Sequence, residues 1–135
     1  LEIKKQAEGI KNVLFFEPEY NPVKLAQFYS IADISCIPSV FPEGFPMTAL
    51  EMQACGIPVI ASDIGGLPET ILHKKTGLLV KQNDSQELAD AITYLIKDKK
   101  IRAEMSVNAR DFITRDFSWE VITKNLIQHY QKLLN

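Results

Sequence analysis

The sequence predicts an α/β fold, a parallel sheet flanked by helices, formed by residues 1–135 as a single domain. Short apolar runs alternate with stretches of helical periodicity along the whole chain. The runs at residues 34–39 (ISCIPS), 58–62 (PVIAS) and 77–80 (GLLV) lack period-two alternation, as strands buried on both faces do. No internal repeat and no low-complexity linker divides the chain.

The elements follow in order. Residues 13–17 (VLFFE) are β-branched and aromatic and read as a first strand. Asn21-Pro22 breaks that run and starts a helix, with Asn21 as cap and Pro22 in the first turn. Leu25, Phe28, Tyr29 and Ala32 then recur at helical spacing. Residues 34–39 are the second strand, stopped by Pro38. Residues 47–55 (MTALEMQAC) read as a helix ended by Gly56, with Pro58 beyond. Residues 58–62 form the third strand. Gly65-Gly66 makes a loop, and Pro68 opens a short helix through Leu72. The fourth strand is 77–80. Asp84 with Glu87 three residues later is a capping-box signature. It precedes the stripe Leu88, Ala91, Ile92, Leu95, Ile96. Ile101, Met105, Ala109, Phe112 and Ile113 make a second stripe. Ser118 caps the last helix, whose stripe is Trp119, Ile122, Leu126, His129, Tyr130 and Leu133.

Composition narrows the function. The 135 residues are 46% hydrophobic and 24% charged, as in a globular domain rather than a disordered one. Fifteen Lys and Arg against seventeen Asp and Glu leave a net charge of −2, which disfavours nucleic acid as a partner. No apolar run approaches the roughly 20 residues of a membrane span. The first residues carry no secretory leader pattern, and the chain lacks an initiator Met, as a piece of a longer protein would. Cys36 and Cys55 lie in apolar segments and read as buried, reduced thiols of a cytoplasmic protein, with neither a disulfide nor a metal site.

In parallel α/β sheets ligands sit at the carboxyl ends of the strands, which directs attention to the segment after Ser39. Gly44 and two prolines lead from Ser39 into the helix that starts at Met47. A helix start presents free backbone N–H groups and suits a phosphate. Residues 47–55 are polar only at Thr48, Glu51 and Gln53, which predicts a buried helix with Glu51 in or beside the core. Thr48 and Glu51 share a face, so a hydroxyl and a carboxylate stand one turn from the phosphate site. That suits a nucleotide, with its ribose hydroxyls on Glu51. The alternative is a partly exposed Glu51 bonded to backbone. Glu43 lies eight residues before Glu51 and points into the same crevice, or is a solvated loop residue.

The stretch PEGFPMTALEMQACGIPVIASDIGGLPE resembles the signature region of retaining GT-B glycosyltransferases of group 1, also called family 4. That family carries two glutamates with seven residues between them, then a G-x-P-V strand and a D-x-G-G-x-x-E loop. Glu43 and Glu51, Gly56-Ile57-Pro58-Val59 and Asp63 through Glu69 match them. The likeness extends outward through Ala32-Asp33, Asn108-Ala109-Arg110 and Phe117-Ser118-Trp119.

The resemblance implies a Rossmann-like domain, the later part of the C-terminal donor-binding domain, with the acceptor domain absent. It implies Glu43 as the catalytic carboxylate on the donor sugar hydroxyls and Gly44, Phe45 and Pro46 as the sugar lining. It places the diphosphate on the amides of Met47 and Thr48, the ribose on Glu51, and Ser39 at the edge of the base or ribose. Asp63, Gly65-Gly66 and Glu69 support the site or simply form a tight turn and a capped helix. The implied reaction is retaining transfer from a nucleotide-sugar donor to a glycan, lipid or small-molecule acceptor, without metal or cofactor. The enzyme is expected in the cytoplasm or at a membrane surface, with this chain inactive alone. The rival reading is a non-catalytic nucleotide-binding or protein-interaction remnant of such an enzyme.

In the family's strand order, residues 13–17 match the third strand and residues 34–39 the fourth, with strands 1 and 2 missing between them. Two arrangements would satisfy the edges. Residues 13–17 pair beside 34–39 in the same chain, making a four-stranded sheet, or two copies associate through the open edge.

Overall fold

The computed structural model describes residues 2–134. The elements run α1 (Glu2–Gln6), α2 (Pro22–Ser30), β1 (Ser35–Ile37), α3 (Met47–Ala54), β2 (Val59–Ser62), α4 (Leu67–Thr70), β3 (Gly77–Val80), α5 (Ser85–Lys97), α6 (Lys99–Asp116) and α7 (Trp119–Leu134). The strands form one parallel sheet in the order β1-β2-β3. Ser35 pairs with Val59, and Val59 in turn with Gly77.

All four residues of β2 are buried, as expected of a central parallel strand. Its side chains alternate between two cores. Val59 and Ala61 point to one face and pack with Ala49 of α3 and with Leu67 and Ile71 at α4. Ile60 points to the other face with Leu78, Val80, Leu95 and Met105, under α5 and α6. The long α6 then continues past the sheet to α3, where Phe112 and Ile113 bury Leu50. Its Ser106 hydroxyl donates to the Gly56 carbonyl at 2.5 Å, tying α6 to the turn between α3 and β2. Gly56 has φ +76°, a conformation that glycine adopts without strain.

Three expectations are corrected. Residues 13–17 form no strand; they run without a ladder partner, and Phe16 packs edge-on against Phe28 of α2 at 5.4 Å. The sheet therefore has three strands and not four, and β1 is an edge. Contact with a helix side chain, Phe16 on Phe28, stands where strand pairing was expected, and the edge of β1 stays open. The cysteines are free but not buried: Cys36 is exposed on the β1 edge and Cys55 is half-buried. The capping box is half formed. Asp84 accepts from the Glu87 amide at 2.9 Å, but the Glu87 carboxylate accepts from the Lys81 amide instead of closing back on Asp84. The last helix, α7, forms where expected, and none of its residues is buried.

The stripe on α6 does bury, at Met105, Ala109, Phe112 and Ile113. Asn21 caps α2 by accepting from the Val23 and Lys24 amides. No helix among the described residues is long and apolar enough to cross a membrane.

Candidate functional site

The site is built past the carboxyl end of β1, where residues 38–46 cross from the strand to α3. Ser39 turns its hydroxyl onto the Glu43 carboxylate, donating to Oε1. The Val40 carbonyl accepts from Gln82 Nε2 at 2.5 Å, which anchors the start of the loop to the segment after β3. The Glu43 carbonyl accepts from the Gly66 amide at 2.8 Å. At the far end Phe45 lies 5.9 Å from Phe117, which packs edge-on against Phe112 of α6. Pro46 is buried and forms the N-cap of α3 without any side-chain cap bond. No side chain therefore competes for the first amides of the helix, at Met47 and Thr48.

α3 is buried on one side only. Ala49, Leu50 and Gln53 face the sheet and α6, while Met47, Thr48, Glu51 and Ala54 are exposed. Glu51 thus stands on the open side rather than in or beside the core. The apolar composition of the helix misled here, because Met47 and Ala54 are apolar yet uncovered. Glu51 shares a cavity of about 240 Å³ with Pro22, Leu25, Ala26, Tyr29, Ala54 and Cys55. Burial pushes the Tyr29 phenol up, and the Glu51 charge beside it adds to that shift. Burial also raises the Cys55 thiol, with Arg110 opposing and Glu51 reinforcing.

Gln53 Nε2 donates to the Ala49 carbonyl at 3.1 Å and to the Thr70 carbonyl at 2.7 Å. α3 is thereby bonded to the end of α4. Asp63 and Glu69 are both exposed, and the bond from their segment to the Glu43 loop is made by main chain, at Gly66.

The sequence-derived candidates fall into one region. Ser39, Glu43, Gly44, Phe45 and Pro46 share the loop, and Met47, Thr48 and Glu51 lie on the first two turns of α3. Three supporting residues were not anticipated there. Tyr29 beside Glu51, Gln82 on Val40 and Phe117 on Phe45 all come from distant sequence positions that no local pattern flags. Among the described residues no three His, Cys, Asp or Glu side chains stand together as a metal site.

A parallel sheet covered on both faces, with a Pro- and Gly-containing loop and an uncapped helix start beyond a strand's carboxyl end, is a Rossmann-like α/β domain. The chain belongs to the glycosyl transferases group 1: the model of that family matches residues 1–112. It is 37% identical over 126 residues to a D-inositol 3-phosphate glycosyltransferase of Saccharomonospora viridis, covering 93% of this chain and 29% of the relative. Sucrose-phosphate synthase from Thermosynechococcus elongatus superposes with a TM-score of 0.88 at 33% identity, over 98% of this chain and 34% of that one. The Anabaena protein HepE, solved in complex with UDP-glucose, superposes with a TM-score of 0.87 at 27% identity, over 97% of this chain and 36% of HepE. The fold is that of GT-B glycosyltransferases. The chain spans less than a third of the length of the curated relatives it matches.

Proposed function

We propose that this chain is the later part of the donor-binding domain of a retaining, family 4 glycosyltransferase. The observation that carries the reading is the loop-helix unit: a Glu43 carboxylate held by Ser39 beside the uncapped start of a helix that bears Glu51. A nucleotide-sugar lies along it. Its diphosphate takes the Met47 and Thr48 amides, where backbone dipoles and free N–H groups favour an anion. Its ribose hydroxyls donate to Glu51 and its sugar hydroxyls to Glu43, with Gly44, Phe45 and Pro46 beneath the sugar. HepE complexes with UDP and with UDP-glucose support that donor class.

In the reaction the bond from the anomeric carbon to the diphosphate breaks, and a bond to an acceptor oxygen forms on the same face. The acceptor proton leaves toward the departing diphosphate. The chain's share is positioning, together with neutralising charge through the α3 amides. The acceptor, whether glycan, lipid or small molecule, binds on a domain outside this chain, so the 135 residues alone catalyse no transfer. The full enzyme works in the cytoplasm or at a membrane surface. The open edge of β1 takes up further strands or a second copy.

Titration calorimetry tests the division of labour. Glu51→Ala weakens UDP by about 1.5–3 kcal/mol, the worth of a hydrogen bond to a charged acceptor. Glu43→Ala spares UDP and weakens UDP-glucose. Equal losses of both ligands in both variants would sink the assignment.

A further inference from the structure

We infer that the turn at residues 63–66 is the template that sets where Glu43 stands, and that Gly66 is a positioning residue for the donor sugar. The inference deepens the donor-site reading above and rests on it for the sugar, though its geometry stands alone. A Cβ built on Gly66 overlaps the Gly44 carbonyl oxygen outright, and its next neighbour is the Gly44 carbonyl carbon at 2.8 Å. One built on Gly65 falls 2.6 Å from the Glu43 carbonyl oxygen and 2.8 Å from its amide nitrogen. These obstacles are main chain, so no rotamer change relieves them. Two backbones touch here because neither residue 65 nor residue 66 carries a side chain.

The contact is also a bond. The Gly66 amide donates to the Glu43 carbonyl at 2.8 Å, so the turn both excludes and holds the loop. Gly65 has φ +58°, which aims the turn at the loop in a conformation glycine adopts freely. Glu43 is then fixed twice, by its backbone on Gly66 and by its carboxylate on Ser39. α3, which carries Glu51, is tied separately to the end of α4 through Gln53 and Thr70. A methyl at position 66 therefore displaces Glu43 and Gly44 and leaves Glu51 in place.

The prediction is selective. Gly66→Ala leaves UDP affinity within about twofold and lowers UDP-glucose affinity by about tenfold or more, the scale of one lost charged hydrogen bond. Gly9→Ala is the control, because Gly9 has φ +86° with no atom within 4 Å of an added Cβ. It adds a methyl to a glycine without any collision, and the ratio of the two affinities should stay at the wild-type value. If Gly66→Ala folds and both ligands weaken equally, or neither weakens, the inference is wrong. If the wild-type chain binds neither ligand, the donor-site reading fails. Amide exchange at residue 66 then decides the geometry: faster exchange there in Gly66→Ala upholds the template, and unchanged exchange overturns it. If Gly66→Ala does not fold, Gly65→Ala takes the same readouts. In the wild type the Gly66 amide should exchange as slowly as those of β2; exchange at the rate of an open loop overturns the inference without any variant.

Discussion

The hydroxyl of Ser39, two residues past the end of β1, donates to the carboxylate of Glu43 across the turn of the loop. A carboxylate accepting a hydrogen bond keeps its remaining lone pairs directed, and here they are left for a ligand. Ser39→Ala frees the Glu43 side chain to sample other rotamers. Sugar-nucleotide affinity should fall about fivefold, for a cost near 1 kcal/mol, while UDP affinity holds. Ser39→Thr keeps the hydroxyl and should retain affinity. Calorimetry with UDP and UDP-glucose checks both, and an unaltered UDP-glucose affinity in Ser39→Ala contradicts the argument.

A second expectation concerns Arg102 near the start of α6. Its guanidinium donates to the Leu95 and Ile96 carbonyls at 2.9 and 3.3 Å, which are among the last carbonyls of α5. It also reaches Asp33 at 3.2 Å. Asp33 is far more exposed than Arg102, at 79% against 19% of the side chain, so the ion pair is screened. The carbonyl bonds should dominate. Arg102→Ala is expected to cost about 1.5–3 kcal/mol and Asp33→Ala less than about 1 kcal/mol. Urea denaturation of both variants decides, and equal costs would place the energy in the ion pair instead.

The pH dependence follows from the cluster around Glu51. Burial, then the Glu51 charge, pushes Tyr29 up; burial also pushes Cys55 up. Groups with raised folded values hold their protons more tightly when native. Their stabilisation is complete below the unfolded values and is lost as pH rises through the folded ones. Free thiols ionise near pH about 8.5 and free phenols near about 10. Stability should therefore fall as pH climbs above about 8.5 and continue falling past about 10. Urea midpoints at neutral and alkaline pH measure the slope. A Tyr29→Phe, Cys55→Ala double variant with the wild-type slope would refute the cause.

How much of this was legible in the sequence depends on the range of the interaction. β2 and β3 were readable because continuous burial writes itself as a continuous apolar run, as at 59–62. α5 and α6 were readable because a stripe at helical spacing is local. The strand at 13–17 was misjudged for the opposite reason: VLFFE has strand propensity, but a strand exists only with a partner, and Phe16 finds Phe28 instead. Glu51 was misplaced because hydrophobicity around α3 does not say which side another element covers. The loop residues were found, but their supports were not. Phe117 reaches Phe45, and Gln82 reaches Val40, across 72 and 42 positions, a distance at which no periodicity operates. Gly65-Gly66 was visible as a turn, whereas its contact with Gly44 requires the fold.

The last expectation is that α7 is dispensable for the core. Its sixteen residues contribute no buried side chain, and Trp119 and Leu133 are 76% and 82% exposed. Hydrophobic stabilisation scales with area removed from water, so a helix lying open adds little. Phe117, by contrast, packs on both Phe112 and Phe45 and must stay. A chain ended after Ser118 should keep its sheet and its UDP affinity. It should lose less stability than Leu95→Ala, which empties a fully buried position between α5 and the sheet and should cost about 2–5 kcal/mol. The truncation also removes an apolar stripe from solvent contact, so self-association should weaken. Urea unfolding and sedimentation velocity of the truncated and full-length chains test the two halves. A truncation that costs as much as Leu95→Ala would mean that α7 packs on the core in solution.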